Sequence, residues 1–352
     1  MDYKSEIEDL VNLILKEGAS DLHLSVGRNP IIRASSNLIP LLKRPVLTEA
    51  DMKGFMNVFL SPASKDLLEE SKDVDFSYSL THARFRGNAF YRQGVISIAL
   101  RLIPKVIRTL SELNLPPILE TFTRRPQGFF LVVGPIGQGK TTTLSSLVEL
   151  INTTRTEHIL TIEDPIEYLF ESKKSIIDQR EVRLDTPDFN NALTAMFRED
   201  IDVAMVGEMR DANTMSTAVT AAETGHLVFS TLHTNSAAST VDRIIDTFSP
   251  NQQDQIRVQL AGSLTGIFSQ RLIPRISGGL IPAYELLINN SAVSNLIRER
   301  RTHELNTVIE TSSQVGMIDM NRSLAELVRA GEITVENAYM SSLNPKTLER
   351  MI

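Results

Sequence analysis

Residues 134–143 read GPIGQGKTTT and fit the pattern G-x-x-x-x-G-K-[ST], with Gly134, Gly139, Lys140 and Thr141 in the defining places. The chemistry this spacing serves is phosphate binding. Glycines let backbone N–H groups converge on phosphate oxygens at the positive end of a helix, with no side chains in the way. Lys140 would hold the β- and γ-phosphates of ATP and Thr141 a Mg²⁺ ion. The candidate nucleotide cradle is therefore Gly134, Pro135, Ile136, Gly137, Gln138, Gly139, Lys140, Thr141 and Thr142. The alternative is a Gly-rich turn that carries a lysine by chance. The flanks oppose it, because GFFLVV before the loop reads as a buried strand and TTTLSSLVELIN after it has helical spacing of Leu144, Leu147, Val148 and Ile151.

Acidic residues and histidines follow at the ends of other apolar runs, where open α/β sheets bind ligands. Glu163-Asp164-Pro165-Ile166-Glu167 follows HILTI, and a carboxylate there could orient or deprotonate an attacking water. Glu163 is assigned that function; Asp164 and Glu167 are divided between it and capping the next segment. Glu208 closes DVAMVG, as a carboxylate acting on Mg²⁺ or its water would, an exposed turn glutamate being the alternative. GHLVFSTLHT puts His226 and His233 at the two ends of one apolar strand. Their odd separation turns them to opposite faces, so a shared metal is not expected. Each alone reads as a structural histidine, and only its place at a strand end lets His233 sense a γ-phosphate.

The elements that must position these groups alternate. From Gly128 on, strand-like runs (GFFLVVG, HILTIED, DVAMVGE, HLVFSTLH) exchange with helical ones (TTTLSSLVELIN, DFNNALTAMFR, ANTMSTAVTAAETG), the pattern of a parallel sheet covered by helices. Beyond about residue 285 the pattern is helical throughout. Upstream, residues 4–16 form an amphipathic helix stopped at Gly18, T-x-x-D opens another at Thr48, and SPASKDLLEES reads as a third. DLHLS, PIIRASSNLIPLL, DVDFSYSL and ARFRGNAFYRQGVISIALRLIP read as strands, the last turning near Gln93-Gly94. The expectation is an N-terminal α+β domain over 1–103, a proline-marked linker over 104–117, an α/β nucleotide core over 118–288 and a helical C-terminal portion over 289–352.

Composition narrows the class. The chain has 352 residues, 42% of them hydrophobic, enough for two soluble domains. A net charge of −7 advertises no basic field for nucleic acid. Zero cysteines exclude disulfides, thiol catalysis and Cys-ligated zinc, and fit a reducing cytoplasm. The start, MDYKSEIEDL, is acidic and amphipathic and does not read as a secretory signal, and no run approaches a membrane span. Membrane association is expected only through a partner.

GPIGQGKTTTL, HILTIEDPIEYLF, QREV and FREDIDVAMVGEMRDANTMSTAVTAAETGHLVFSTLHTNSAASTVDRIID together resemble the P-loop, Asp box, Walker B and His box of the secretion ATPases of the type II secretion and type IV pilus superfamily. ASDLHLS, RFRGNAFYRQ, QRLIPR and the segment from SAVSNLIRERR to RAGEIT extend the resemblance to the PilT-type pilus-retraction ATPases over nearly the whole chain. The resemblance implies a PAS-like N-terminal domain before a RecA-like P-loop core. It also implies a homohexamer that hydrolyses ATP with Mg²⁺ and acts at the inner membrane through a pilus platform protein, and indirectly on pilin. By the same resemblance Glu163 is the catalytic base, Glu208 the Walker B acid, and His226 and His233 the His-box pair. Arg86 and Arg101 match arginines that the family's N-terminal domain offers to a neighbouring subunit's phosphates, with Arg84 a rival to Arg86; the alternative is ordinary solvated strand residues.

Departures from the family pattern fall at Ile136 and Gln138, where Thr and Ser are usual, and at Ser294, where an Arg is usual. The loop changes keep the backbone N–H groups, whereas Ser294 lies in a segment the family links to retraction. Other readings are a pilus-assembly or secretion motor, whose relatives commonly carry a four-cysteine zinc motif and a longer N-terminal region, a nucleic-acid-tracking RecA-like motor, and a non-hydrolysing scaffold.

Overall fold

Local sequence sets the first elements. Asp2 caps the helix Tyr3–Lys16, which buries Ile7, Leu10, Val11 and Ile14 on one face. Thr48 and Asp51 form a reciprocal capping box at the helix Glu49–Phe59: the Thr48 hydroxyl accepts from the Asp51 N–H at 3.2 Å, and the Asp51 carboxylate from the Thr48 N–H at 2.8 Å. Such a box contributes about 1 kcal/mol and fixes where the helix begins. A third helix spans Pro62–Ser71.

The computed structural model describes residues 2–34, 37–81, 83–103 and 106–352. Ser35-Ser36, within the expected strand run PIIRASSNLIPLL, and the start of the linker at Pro104 lie outside these described residues. Two compact units emerge, one of Met1–Val106 with Glu167–Leu169, the other of Ile107–Ile166 with Phe170–Ile352.

In the first unit the strands β1 (Asp21–Ser25), β2 (Ile31–Ala34), β3 (Asn37–Pro40), β4 (Asp73–Leu80), β5 (Ala83–Arg92) and β6 (Val95–Ile103) form one antiparallel sheet in the order β3-β2-β1-β6-β5-β4. Period-two alternation divides its faces. Leu22, Leu24, Phe85, Ala89, Ile98 and Leu100 pack with the helices. Gln93 and Gly94, both at positive φ, make the two-residue turn between β5 and β6.

The second unit holds β7 (Gly128–Val133), β8 (His158–Glu163), β9 (Ile176–Glu181), β10 (Val203–Val206), β11 (Leu227–Leu232), β12 (Leu264–Pro274) and β13 (Leu280–Ile288), ordered β13-β12-β7-β11-β10-β8-β9. All neighbours are parallel except β12 and β13. Phe129 through Val133 are wholly buried, because helices cover both faces of the sheet. Three strands of this sheet lie outside the expected strand-like runs: β9 is a short polar strand at one edge, and β12 with β13 forms a mostly buried hairpin. The hairpin carries strand to Ile288, past the residue-285 boundary, and Leu286 bridges Ile318. Helices follow from Ser291 to Glu349.

Candidate functional site

Parallel strands bring their carboxyl ends to one edge, and β7, β11, β10 and β8 lie side by side there. The loop Gly134–Gly139 leaves β7 and enters the helix Lys140–Thr154, whose N-cap is Gly139 with φ 75° and no side-chain cap. The first helical turn therefore directs backbone N–H groups into the loop, as anion binding requires. At Gly134, φ is 147° and a Cβ would stand 2.4 Å from the Gln270 carbonyl oxygen, so only glycine fits.

Lys140 is buried, and its ammonium donates to the carbonyls of Gly134 at 2.9 Å and Pro135 at 2.8 Å. His233 Nδ1 lies 3.1 Å from the same ammonium. Accepting there leaves the imidazole proton on Nε2, which stands 3.6 Å from Glu208 Oε2. Glu208 also holds the Arg210 guanidinium, and this hydrogen bond raises the arginine's pKa further. A continuous polar chain thus runs from Lys140 through His233 and Glu208 to Arg210. The β10 end is stitched to β11 by the Ser230 hydroxyl on the Val206 carbonyl and the Thr231 hydroxyl on the Gly207 carbonyl, at 2.8 and 2.6 Å.

Glu163 ends β8 with 3% exposure, accepting from the Thr161 hydroxyl at 2.7 Å and the Gln179 amide at 3.2 Å. No helix follows β8 before β9, so Asp164 and Glu167 do not cap one. Instead Asp164 lies 3.6 Å from Arg183. His226 sits before the first residue of β11, roughly 20 Å of strand from His233. Its Nδ1 is 3.0 Å from the Ala221 carbonyl and its ring meets Phe197 edge-on, away from the loop of its own chain.

Beside the loop, a cleft of about 540 Å³ lies against Gly139, Thr142, Thr143, Leu272, Gly278 and Gly279. Its size suits a small ligand, and its place by the first helical turn suits the nucleobase and ribose of a nucleotide whose phosphates fill the loop. Sequence spacing gives no sign of this cleft, since it needs the β12–β13 hairpin folded against the loop helix.

In the first unit, register places Arg33, Asp21, Arg101, Arg86 and Ser77 in one rung across β2, β1, β6, β5 and β4. Arg101 Nε donates to Asp21 Oδ1 at 2.9 Å, and Arg33 lies 3.8 Å from the other carboxylate oxygen. Burial alone would raise the Asp21 pKa, but hydrogen bonds from Ser20 and Arg101 outweigh it and hold the carboxyl below its ordinary range. Arg86 is exposed directly opposite Arg101, whereas Arg84 is half-buried and faces Ile103. Asp21 carried no sequence signal of its own; the ASDLHLS resemblance pointed to its strand, not to its partner. Ser294 turns inward, its hydroxyl donating to the Ala261 carbonyl at 2.9 Å, so the departure replaces a cation with a helix-to-helix tie.

Comparisons with known proteins find relatives along nearly the whole chain. The family model described as Type II/IV secretion system protein matches residues 4–279. The Pseudomonas aeruginosa type IV pilus retraction ATPase PilT is 41% identical over 97% of this chain and 99% of its own. A twitching motility protein of Neisseria gonorrhoeae is 42% identical over 91% of this chain and 86% of its own. The crystal structure of a pilus retraction motor, PilT, with bound ADP superimposes with a TM-score of 0.91 at 46% identity, covering 97% of this chain and 98% of that one.

Proposed function

The chain belongs to the Type II/IV secretion system protein family, and from that premise we propose that it is an ATP-hydrolysing motor that retracts type IV pili. The observation that carries the reading is a complete strand-end constellation, Lys140, Glu163, Glu208 and His233, in a chain 41% identical along nearly its whole length to a retraction ATPase. ATP phosphates occupy the loop, Lys140 exchanging its loop carbonyls for phosphate oxygens. Glu163, buried and oriented by Thr161 and Gln179, takes the proton of the attacking water. His233, bridging Lys140 and Glu208, reports the γ-phosphate to the β10 end.

The donor set at the loop fits Mg²⁺. Among the described residues no three His, Asp or Glu form a metal cage, and Mg²⁺ needs none, since it binds through one or two carboxylates or hydroxyls together with nucleotide oxygens. Thr141 and Glu208 would hold it, Glu208 through water and after Arg210 has moved aside. When bound, the ion neutralises charge on the transferring phosphoryl group.

The working unit is a homohexamer in which Arg86 and Arg101 of one subunit complete the nucleotide site of the next. The ring acts at the inner membrane through a pilus platform protein, and through it on pilin. No helix among the described residues is long and apolar enough to cross a membrane. Assembly or secretion is the second reading within the family, and the absence of cysteine removes the zinc motif common there. Deleting the gene tests the choice, together with an ATPase assay of the purified chain. Surplus immobile pili are expected; bald cells would overturn retraction in favour of assembly, and absent turnover would overturn the motor.

A further inference from the structure

The phosphate loop is fastened to β12 by two amide side chains. β7 pairs with β12 only as far as Val133 against Ser269, because at Gly134 the chain leaves the sheet for the loop. β12 runs on to Pro274. Past Ser269 the edge of β12 that faced β7 has no strand beside it among the described residues, yet the N–H of half-buried Leu272 still requires an acceptor. Gln138 supplies one, its Oε1 accepting from the Leu272 N–H at 2.6 Å. Gln270 answers in the other direction: its Nε2 donates to the Gln138 carbonyl at 2.7 Å, while its Oε1 accepts from the Thr143 hydroxyl at 2.7 Å. Gln270 is 3% exposed, so water competes little for these bonds. Loop, first helical turn and strand are thereby held in one register.

Leu272, Gln270, Gly139 and Thr143 also line the cleft beside the loop. A nucleotide must satisfy the loop with its phosphates and the cleft with its base at once, and the gain from doing both depends on their spacing. We propose that Gln138 is a positioning residue that sets the distance between phosphate loop and cleft, so that a nucleoside triphosphate binds more tightly than a bare triphosphate. This rests on the loop and cleft being the nucleotide site. The side chain suits the task by its length. Alanine or serine at 138 ends at or just beyond Cβ and leaves the Leu272 N–H without this acceptor.

Two ligands separate positioning from simple loop integrity. Binding of ATP and of inorganic tripolyphosphate, each with Mg²⁺, is measured by calorimetry on the full chain and on Gln138→Ala. ATP affinity is expected to fall about tenfold, the scale of one lost buried hydrogen bond, and tripolyphosphate affinity by clearly less, since Gln138 belongs to the phosphate cradle as well as to the fastening. Unchanged ATP binding, or equal weakening of both ligands, overturns the proposal. Gln270→Ala provides a second handle on the same fastening, and the double variant is expected to be no weaker than the weaker single; additive losses also overturn it. A wild-type chain that binds neither ligand would overturn the nucleotide reading itself, a result distinct from any difference between variants.

Discussion

Asp21–Arg101 in the first unit and Glu208–Arg210 in the second are the same ion pair put to opposite use. Asp21 is buried and anchored by Ser20, so the exposed Arg101 is the member presented. At Glu208 the roles are less fixed: the carboxylate is half-buried, the arginine exposed, and the guanidinium covers the oxygen that the proposed function needs. An antiparallel sheet face offers a row of side chains whose neighbours are set by register. Parallel strand ends instead gather groups whose partners exchange when a ligand arrives. The first arrangement displays charge, and the second stores it.

The sharpest way to break this contrast is Lys140→Ala. It removes the buried cation at the loop end of the stored network, so tight Mg-ATP binding is expected to disappear in calorimetry. Wild-type affinity would mean that the strand ends hold no phosphate. Next in size is Glu163→Gln, which keeps the shape and loses the base. ATP should still bind while turnover falls about 10²–10⁴-fold; near-normal turnover would move the role to Glu208.

A smaller effect tests whether the displayed arginines act between subunits. Arg101→Ala and Lys140→Ala chains should each be inactive alone and partly active when co-assembled, since some interfaces then join an intact loop to an intact arginine. Native mass spectrometry confirms that mixed rings formed. No recovery in such rings would make Arg101 structural or require every interface to be intact. Arg86→Ala, followed by Arg84→Ala, should identify the second arginine, with Arg86 expected.

Glu285 gives the smallest effect and sharpens the comparison from a third side. Like Asp21 it is a buried carboxylate, but its hydrogen-bond donor is the Ala237 N–H at 2.7 Å, and burial pushes its pKa up to about 7. The folded state then holds a proton that the unfolded chain releases near pH 4.5, so this group costs stability as pH rises through that interval. The cost is complete above pH 7. Its ceiling is about 3 kcal/mol from the size of the shift. Glu285→Gln keeps an acceptor for Ala237 and should flatten the fall in unfolding free energy between pH 5 and 8, read from denaturant titrations, by about 1–3 kcal/mol. An unchanged pH profile would show the carboxylate to be better solvated than its burial suggests.

Much of the second unit's site was legible because its demands are local. A phosphate loop needs glycines within a few residues of one another, and acids placed after short apolar runs need only the strand to end. The edge strand β9 and the buried hairpin of β12 and β13 escaped, since β9 is too polar to read as a covered strand and the hairpin sets Ser269, Gln270 and Glu285 within its buried run. The capping alternative for Asp164 and Glu167 failed for a related reason: nothing within that short stretch reveals that a loop, not a helix, follows β8.

The sequence by itself determined the nucleotide-loop chemistry, the alternation of strand and helix that makes a covered parallel sheet, and the helix start at Thr48, because backbone sterics and neighbouring hydrogen bonds act over a few residues. Tertiary structure decided which distant groups meet. Asp21 finds Arg101 across 80 residues only through the pairing of β1 with β6, and Gln138 finds Gln270 across 132 only because β12 outruns β7. Register and strand length are collective properties of the folded sheet, so no short window of sequence contains them.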